Sequence, residues 1–431
     1  MKPPQGSFSH RLQSAIGRNR WLLADQLLVS GFNFLTTVVV GRALGIHAFG
    51  VFSILYIILL YLNAIQLSLI VSPMMTLAPQ IDEPSKRAAY LRGMATCQYC
   101  FSAVVCCVAL LLPLAQKLNL IRSSIETDAM CAFGLAILCF QVQDWLRRFW
   151  YVAEDGRSVF FNDIISYMGQ LAALIFLWRR SALTVESGFY VIALTSLAAF
   201  VAGARKEDVW GHLREALLSA RRSWAIGKSL VVASQFQWLG SQGILLIVAA
   251  IVSVNAASGM RAAITLVGPV NILYQLLDNV VPVRAAKAFR TGGRTQLRAY
   301  LQRASLILAG LVAVPLLLIA AVARTAITLA FGRSFTPYAH LVLWQAGYAM
   351  LALIYKGLQY YHRTMGTVGI LARSAMASSV VSVTSCLVLS HRYGVDGGMA
   401  ALVLGQILNV GIPLWATMTG PVQEKRLTPP S

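Results

Sequence analysis

Apolar residues run in twelve stretches of roughly 20, separated by short polar segments, between residue 22 and residue 419. A helix needs about 20 apolar residues to cross the hydrocarbon core of a bilayer. The pattern therefore predicts spans near 22–43, 51–73, 93–115, 129–149, 160–178, 186–203, 229–253, 263–283, 303–323, 338–359, 366–390 and 397–419. The expected fold is an all-α polytopic membrane protein.

Charge orients these spans. The chain is only 12 % charged, yet its formal net charge is +20. Of 36 Lys and Arg, 26 fall on the side holding both termini and 9 on the other, with Arg373 inside a span. Cationic loops stay in the cytoplasm, so both termini are predicted there. The tail 1–20 carries Pro3 and Pro4. The apolar run after it is too long for a signal-peptide core and is predicted to be retained as span 1.

A shift of 209 residues lays spans 7 and 8 on spans 1 and 2. Gln26 meets Gln235, Gly31 meets Gly240, Gly50 meets Gly259, Gln66 meets Gln275 and Pro73 meets Pro282. Six spans per unit give both copies one orientation, so the repeat predicts two six-helix lobes related by a parallel pseudo-two-fold, with a site between them. The expected organisation is a tail (1–20), a first lobe (21–203), a linker (204–228), a second lobe (229–419) and a tail (420–431). In the linker, Trp210, Leu213, Leu217 and Trp224 recur at helical spacing, with Arg214, Arg221 and Arg222 elsewhere on the wheel. That is the pattern of an amphipathic helix on the cytoplasmic leaflet.

Charges inside hydrocarbon need a partner, water or a function. Asp25 and Arg42 lie in span 1. Asp144, Arg147 and Arg148 end span 4, and Asp163 opens span 5. Span 8 carries Gln275 and Asp278 with Arg284 at its edge; Lys356 lies in span 10 and Arg373 in span 11. Arg147, Arg148, Arg284 and Lys356 can also be read as side chains snorkelling to the interface. Asp144 stands at pairing distance along the helix from Arg147 and Arg148. Asp25 and Asp278 face one another if the lobes meet at spans 1 and 8. Either carboxylate is a candidate for proton or sodium coupling.

Several classes are excluded or disfavoured. The sequence has no GxxxxGK[ST] phosphate loop and no HExxH, and its outer loops are too short to hold a sugar donor, so no enzyme, cofactor or metal is expected. The seven cysteines fall in or beside apolar runs and read as small hydrophobes. Nucleic acid is not an expected partner, because the basic excess follows the membrane topology.

The segment LLADQLLVSGFNFLTTVVVGRALGIHAFGVFSI resembles the first two helices of Wzx-like bacterial polysaccharide transporters. That family belongs to the superfamily holding the MATE exporters and the lipid II flippase. QDWLRRFWYVAEDGRSVFFNDIISYMGQ, GPVNILYQLLDNVVP and FGRSFTPYAHLV resemble later stretches of the same family. The resemblance implies two lobes around a cavity that opens alternately to either side. It also implies a polyprenyl-diphosphate-linked oligosaccharide as substrate, with a polysaccharide polymerase and glycosyltransferases as partners. On that reading Arg42, Lys356 and Arg373 hold the diphosphate, with Arg147 and Arg284 near the cytoplasmic mouth, while Gln66 and Gln275 are among the polar groups that meet the glycan. A drug/cation antiporter and a non-transporting scaffold of a polysaccharide assembly complex remain as alternatives.

Overall fold

The computed structural model describes residues 8–120, 125–205, 207 and 210–419. No strand occurs among them. Twelve helices cross the bundle: α1 (8–44), α2 (46–80), α3 (Pro84–Lys117), α4 (Thr127–Val152), α5 (Gly156–Arg179) and α6 (Val185–Ala204). The second six are α7 (Leu213–Leu239, then Gly243–Ile251), α8 (Val254–Val267, resuming at Val270 and ending at 291), α9 (294–321), α10 (Leu341–Thr364), α11 (368–393) and α12 (395–419). The start of α1 and the end of α12 share one face of the bundle, here the near face. The far face carries the α1–α2 turn, where Gly45 at φ 73° reverses the chain without a loop. An L side chain would be strained in that conformation.

Hydropathy marks the apolar part of each helix and misses its polar extensions. α1 begins at Phe8, α3 at Pro84 and α7 at Leu213, each ahead of the stretch predicted to cross. Ala, Arg, Lys and Gln in these extensions are good helix formers, so nothing stops the helix where the lipid ends. The first half of α7 therefore includes most of the predicted linker. It lies along α3, where Gly93 lets the backbones meet at Ser219 and Glu215. Arg92 binds Glu215 at 2.9 Å, and the Tyr90 and Ser223 hydroxyls lie 2.9 Å apart. Trp210, Leu213, Leu217 and Trp224 stay exposed.

The first lobe packs around α4, flanked by α3 and α6. In α4, 83 % of the apolar window is buried, against 56 % or less elsewhere. Charged residues on α4 must therefore find partners inside protein. In the second lobe α10 packs on the α8–α9 and α11–α12 hairpins.

The lobes join at the far face through the two hairpins that the repeat equates. Ser258 donates to the Ile46 carbonyl at 2.5 Å, and His47 Nδ1 lies 3.3 Å from Asn255 Oδ1. These pairs are 212 and 208 residues apart, bracketing the repeat of 209, as expected of residues beside a pseudo-two-fold axis. Gly50 allows the approach, since a Cβ there would lie 2.7 Å from the Val254 carbonyl oxygen. Phe49 of α2 packs against Phe331 and Phe335, in the short helix and 3-10 turn between α9 and α10, with centroids 5.8 Å away in both cases. All three rings are buried. His340 and Trp344 both reach Asp396, tying that segment to the start of α12.

Candidate functional site

Three features among the described residues bear on function: a buried polar network, a partly exposed ion-pair cluster and a small cavity. The network lies wholly in the first lobe. Arg147 Nη2 donates to Asp25 Oδ2 at 2.9 Å, and its Nε lies 2.5 Å from Asp163 Oδ2. Tyr151 donates to the same Asp25 oxygen at 2.9 Å, while the Arg147 guanidinium sits 5.6 Å from the Tyr151 ring centre. Gln143 Nε2 binds Asn162 Oδ1 at 2.8 Å and Asp163 Oδ1 at 3.3 Å, and Asn162 in turn donates to the Ala199 carbonyl at 2.7 Å. Asp144 holds Arg148 at 3.6 Å. Side chains of α1, α4 and α5 and a carbonyl of α6 thus share one network, and Asp25 and Asp163 are fully buried.

Local sequence positions these groups. Asp144, Arg147, Arg148 and Tyr151 recur at three and four residues, one face of α4. Asp163 is the last residue before a π-helical turn, Ile164–Met168. A second π-helical turn, Leu67–Val71, follows Gln66, whose amide donates to the Gln141 carbonyl at 3.1 Å. An extra residue in a turn re-aims the side chains beside it, and such turns cluster at functional sites. Three carboxylates here face two guanidiniums, and Asp25 Oδ1 has no hydrogen bond among the described residues.

The ion-pair cluster is smaller. Lys356 of α10 binds Asp278 of α8 at 2.5 Å, and Tyr360 donates to the other Asp278 oxygen at 2.6 Å. Asp25 and Asp278 are thus each partnered within their own lobe, and the structure does not pair them across the interface.

The cavity lies where α1, α2 and α5 meet α8, directly beneath Phe49. It is small, about 20 Å³, and is lined by Asn33, Thr36, Ser53, Tyr56, Gln170 and Arg261 among others, with no carboxylate among its described lining residues. The Arg261 guanidinium makes no hydrogen bond or salt bridge among the described residues.

The remaining predicted residues are placed apart. Arg42 is exposed at the far face and donates to the Leu329 carbonyl. Arg284 is exposed near the end of α8, and Arg373 is exposed on α11 with only the Gly369 carbonyl, at 3.4 Å, as partner. The side chain of Gln275 lies outside the described residues, as do the tail segments 1–7 and 420–431.

Arg261, Tyr56 and Gln170 are absent from the sequence-derived set. A hydropathy boundary at 263 leaves Arg261 in a loop. The repeat carried the missing signal, because a shift of 209 places Arg261 level with Phe52, well inside α2, and both line the cavity.

No protein-family model matches the chain, and no curated protein matches its sequence. Solved structures do match its fold. The lipid II flippase MurJ in an inward closed conformation superposes with a TM-score of 0.68 at 13 % identity, covering 93 % of this chain and 88 % of that one. An inward-facing multidrug resistance MATE family transporter of the MOP superfamily gives 0.67 at 11 %, covering 91 % and 94 %. A MOP superfamily transporter from Pyrococcus furiosus, described as having a binding pocket of reversed polarity, gives 0.61 at 11 %, covering 94 % and 95 %. The chain has the two-lobe fold of MOP superfamily transporters.

Proposed function

We propose that the chain moves a polyprenyl-diphosphate-linked oligosaccharide from the cytoplasmic to the outer leaflet by alternating access. The observation that carries this reading is the cavity between the lobes. Its one cation, Arg261, is unpartnered, and amides and hydroxyls surround it with no carboxylate in the wall. A guanidinium presents a planar fork of donors suited to phosphate oxygens. Asn, Thr, Ser, Tyr and Gln suit sugar hydroxyls. A cationic drug would instead need an acidic wall. The fold neighbour whose name specifies a lipid-linked substrate, lipid II flippase, lends the reading support.

At about 20 Å³ the cavity has room for little more than a water molecule. The lobes must therefore part before the diphosphate enters, the glycan following it. The polyprenyl chain stays in the bilayer. The aromatic seal of Phe49, Phe331 and Phe335 closes the far side, which on the positive-inside reading is the outer side.

The first-lobe network supplies the coupling. Three carboxylates against two guanidiniums leave one negative charge over, which a proton or a sodium ion would balance, with Asp25 its proposed seat. A polysaccharide polymerase and glycosyltransferases are the partners this role requires, and the bacterial inner membrane is its setting.

Vesicles with labelled lipid-linked oligosaccharide in one leaflet test the reading. The wild type is expected to transfer label, and Arg261→Gln to lose most of that rate while folding normally. Full transfer by Arg261→Gln would remove the assigned site. Absence of transfer by the wild type, with export of a cationic dye in its place, would remove the substrate class.

A further inference from the structure

A second recess lies outside the inter-lobe cavity. At the near face α4, α5 and α6 leave a groove of about 410 Å³ between their ends, lined by Trp150, Asp155, Arg157, Ser158, Asn162 and Ala202 among others. The exposed side chains of Phe161 and Ile165 stand in its wall. Arg157 stands in the first turn of α5, just after the near-face connection from α4, so the mouth is level with lipid headgroups. Below it an exposed apolar track continues into the hydrocarbon, formed by Ile165 and Met168 on α5 and by Leu197 and Val201 on α6.

The charges at this mouth are unequal. The carboxylate of Asp155 is committed, accepting from the Ser158 amide at 3.1 Å and from its hydroxyl at 2.5 Å. Glu207 accepts from Trp150 Nε1 at 2.9 Å, and Glu154, in the connection itself, is exposed. The Arg157 side chain is exposed, rests 5.7 Å from the Phe161 ring centre, and makes no hydrogen bond or salt bridge among the described residues, although its charge acts on Asp155. Of the two charged residues that line the groove, the Asp155 side chain is hydrogen-bonded and the Arg157 side chain is not. Arg157 sits above an amide floor, Asn162, which is buried and held by Gln143 and Ala199.

We propose that this groove binds the phosphate headgroup of an anionic bilayer phospholipid, with Arg157 on the phosphate and an acyl chain laid along α5 and α6. Arg meets a phosphodiester through two parallel N–H donors. Basic side chains near an anionic leaflet each contribute about 1 kcal/mol, or roughly fivefold in affinity. Because Asn162 shares Gln143 with Asp163, a lipid seated here braces the loop between α4 and α5 against the charge network. The inference rests on the groove alone and does not depend on what the inter-lobe cavity transports.

The full chain, purified in detergent, is titrated with phosphatidylglycerol or phosphatidylcholine, and bound lipid is counted by native mass spectrometry alongside a melting curve. The wild type is expected to retain one phosphatidylglycerol in preference to phosphatidylcholine and to melt higher with it. Arg157→Gln weakens that retention about fivefold. Ala202→Phe, which fills the groove without altering charge, abolishes it, and both variants melt like the wild type in phosphatidylcholine. If Ala202→Phe melts low in phosphatidylcholine, Arg157→Gln decides alone. The proposal is overturned if Arg157→Gln keeps the preference, or if phosphatidylcholine binds equally well. It is also overturned if a polyprenyl phosphate displaces phosphatidylglycerol at equal concentration, which would make the groove a carrier-lipid site.

Discussion

Arg147 of α4 and Asp163 of α5 stand 2.5 Å apart in the interior of the first lobe, both shielded from solvent. The guanidinium also holds Asp25, so a single side chain ties three helices. It is a structural cation before it is anything else.

Removing it should be severe. Stranding a partner of a buried ion pair costs about 3–5 kcal/mol, whereas exchanging the whole set for apolar or neutral groups is often tolerated. Arg147→Ala is expected to lower the melting temperature strongly. The triple change Asp25→Asn, Arg147→Met, Asp163→Asn is expected to recover most of the loss. Melting followed by size-exclusion chromatography measures both.

Lys356→Met should be milder. The Lys356 and Asp278 side chains keep 25 % and 38 % of their exposure, so water relieves the stranded carboxylate. Pairs of this kind are worth about 1 kcal/mol or less. A melting shift as large as that of Arg147→Ala would contradict this placement.

The far-face contact should be lockable. His47 and Asn255 meet at 3.3 Å across the pseudo-two-fold. His47→Cys with Asn255→Cys, in a chain freed of its seven native cysteines, is expected to cross-link on oxidation and stop transport reversibly. Cross-linked protein that still transports would show that the lobes need not part there.

Arg373→Ala is expected to leave transport and melting close to wild type. The side chain is exposed and bonds only to a carbonyl one turn away. A large loss of transport with normal folding would return Arg373 to the site.

All twelve predicted spans coincide with observed helices because each apolar stretch must pair its own backbone in lipid. What hydropathy misjudged was continuation. α7 carries straight on from its polar half because no proline lies between Leu213 and Leu239, and Gly227 packs closely on the Ser68–Leu69 backbone. The site was less legible. Asp25 and Arg147 stand out as costly charges in apolar surroundings, but pairing them requires knowing that α1 and α4 touch. Arg261 was hidden by a shift of a few residues in one span boundary, and only the repeat could correct it. Arg42 and Arg373 looked internal by position, yet helix rotation, set by packing, leaves them exposed.

The break in α7 locates the pivot of any lobe motion. Up to Leu239 the helix is fastened to α2 and α3 of the first lobe, through Gly93, Arg92 and the 2.9 Å bond between Ser68 and Ser234. Beyond the 45° bend, Gly243–Ile251 packs on α11 and α12. A rocking second lobe would swing about Gly240–Gly243, leaving the surface half of α7 stationary as part of the frame.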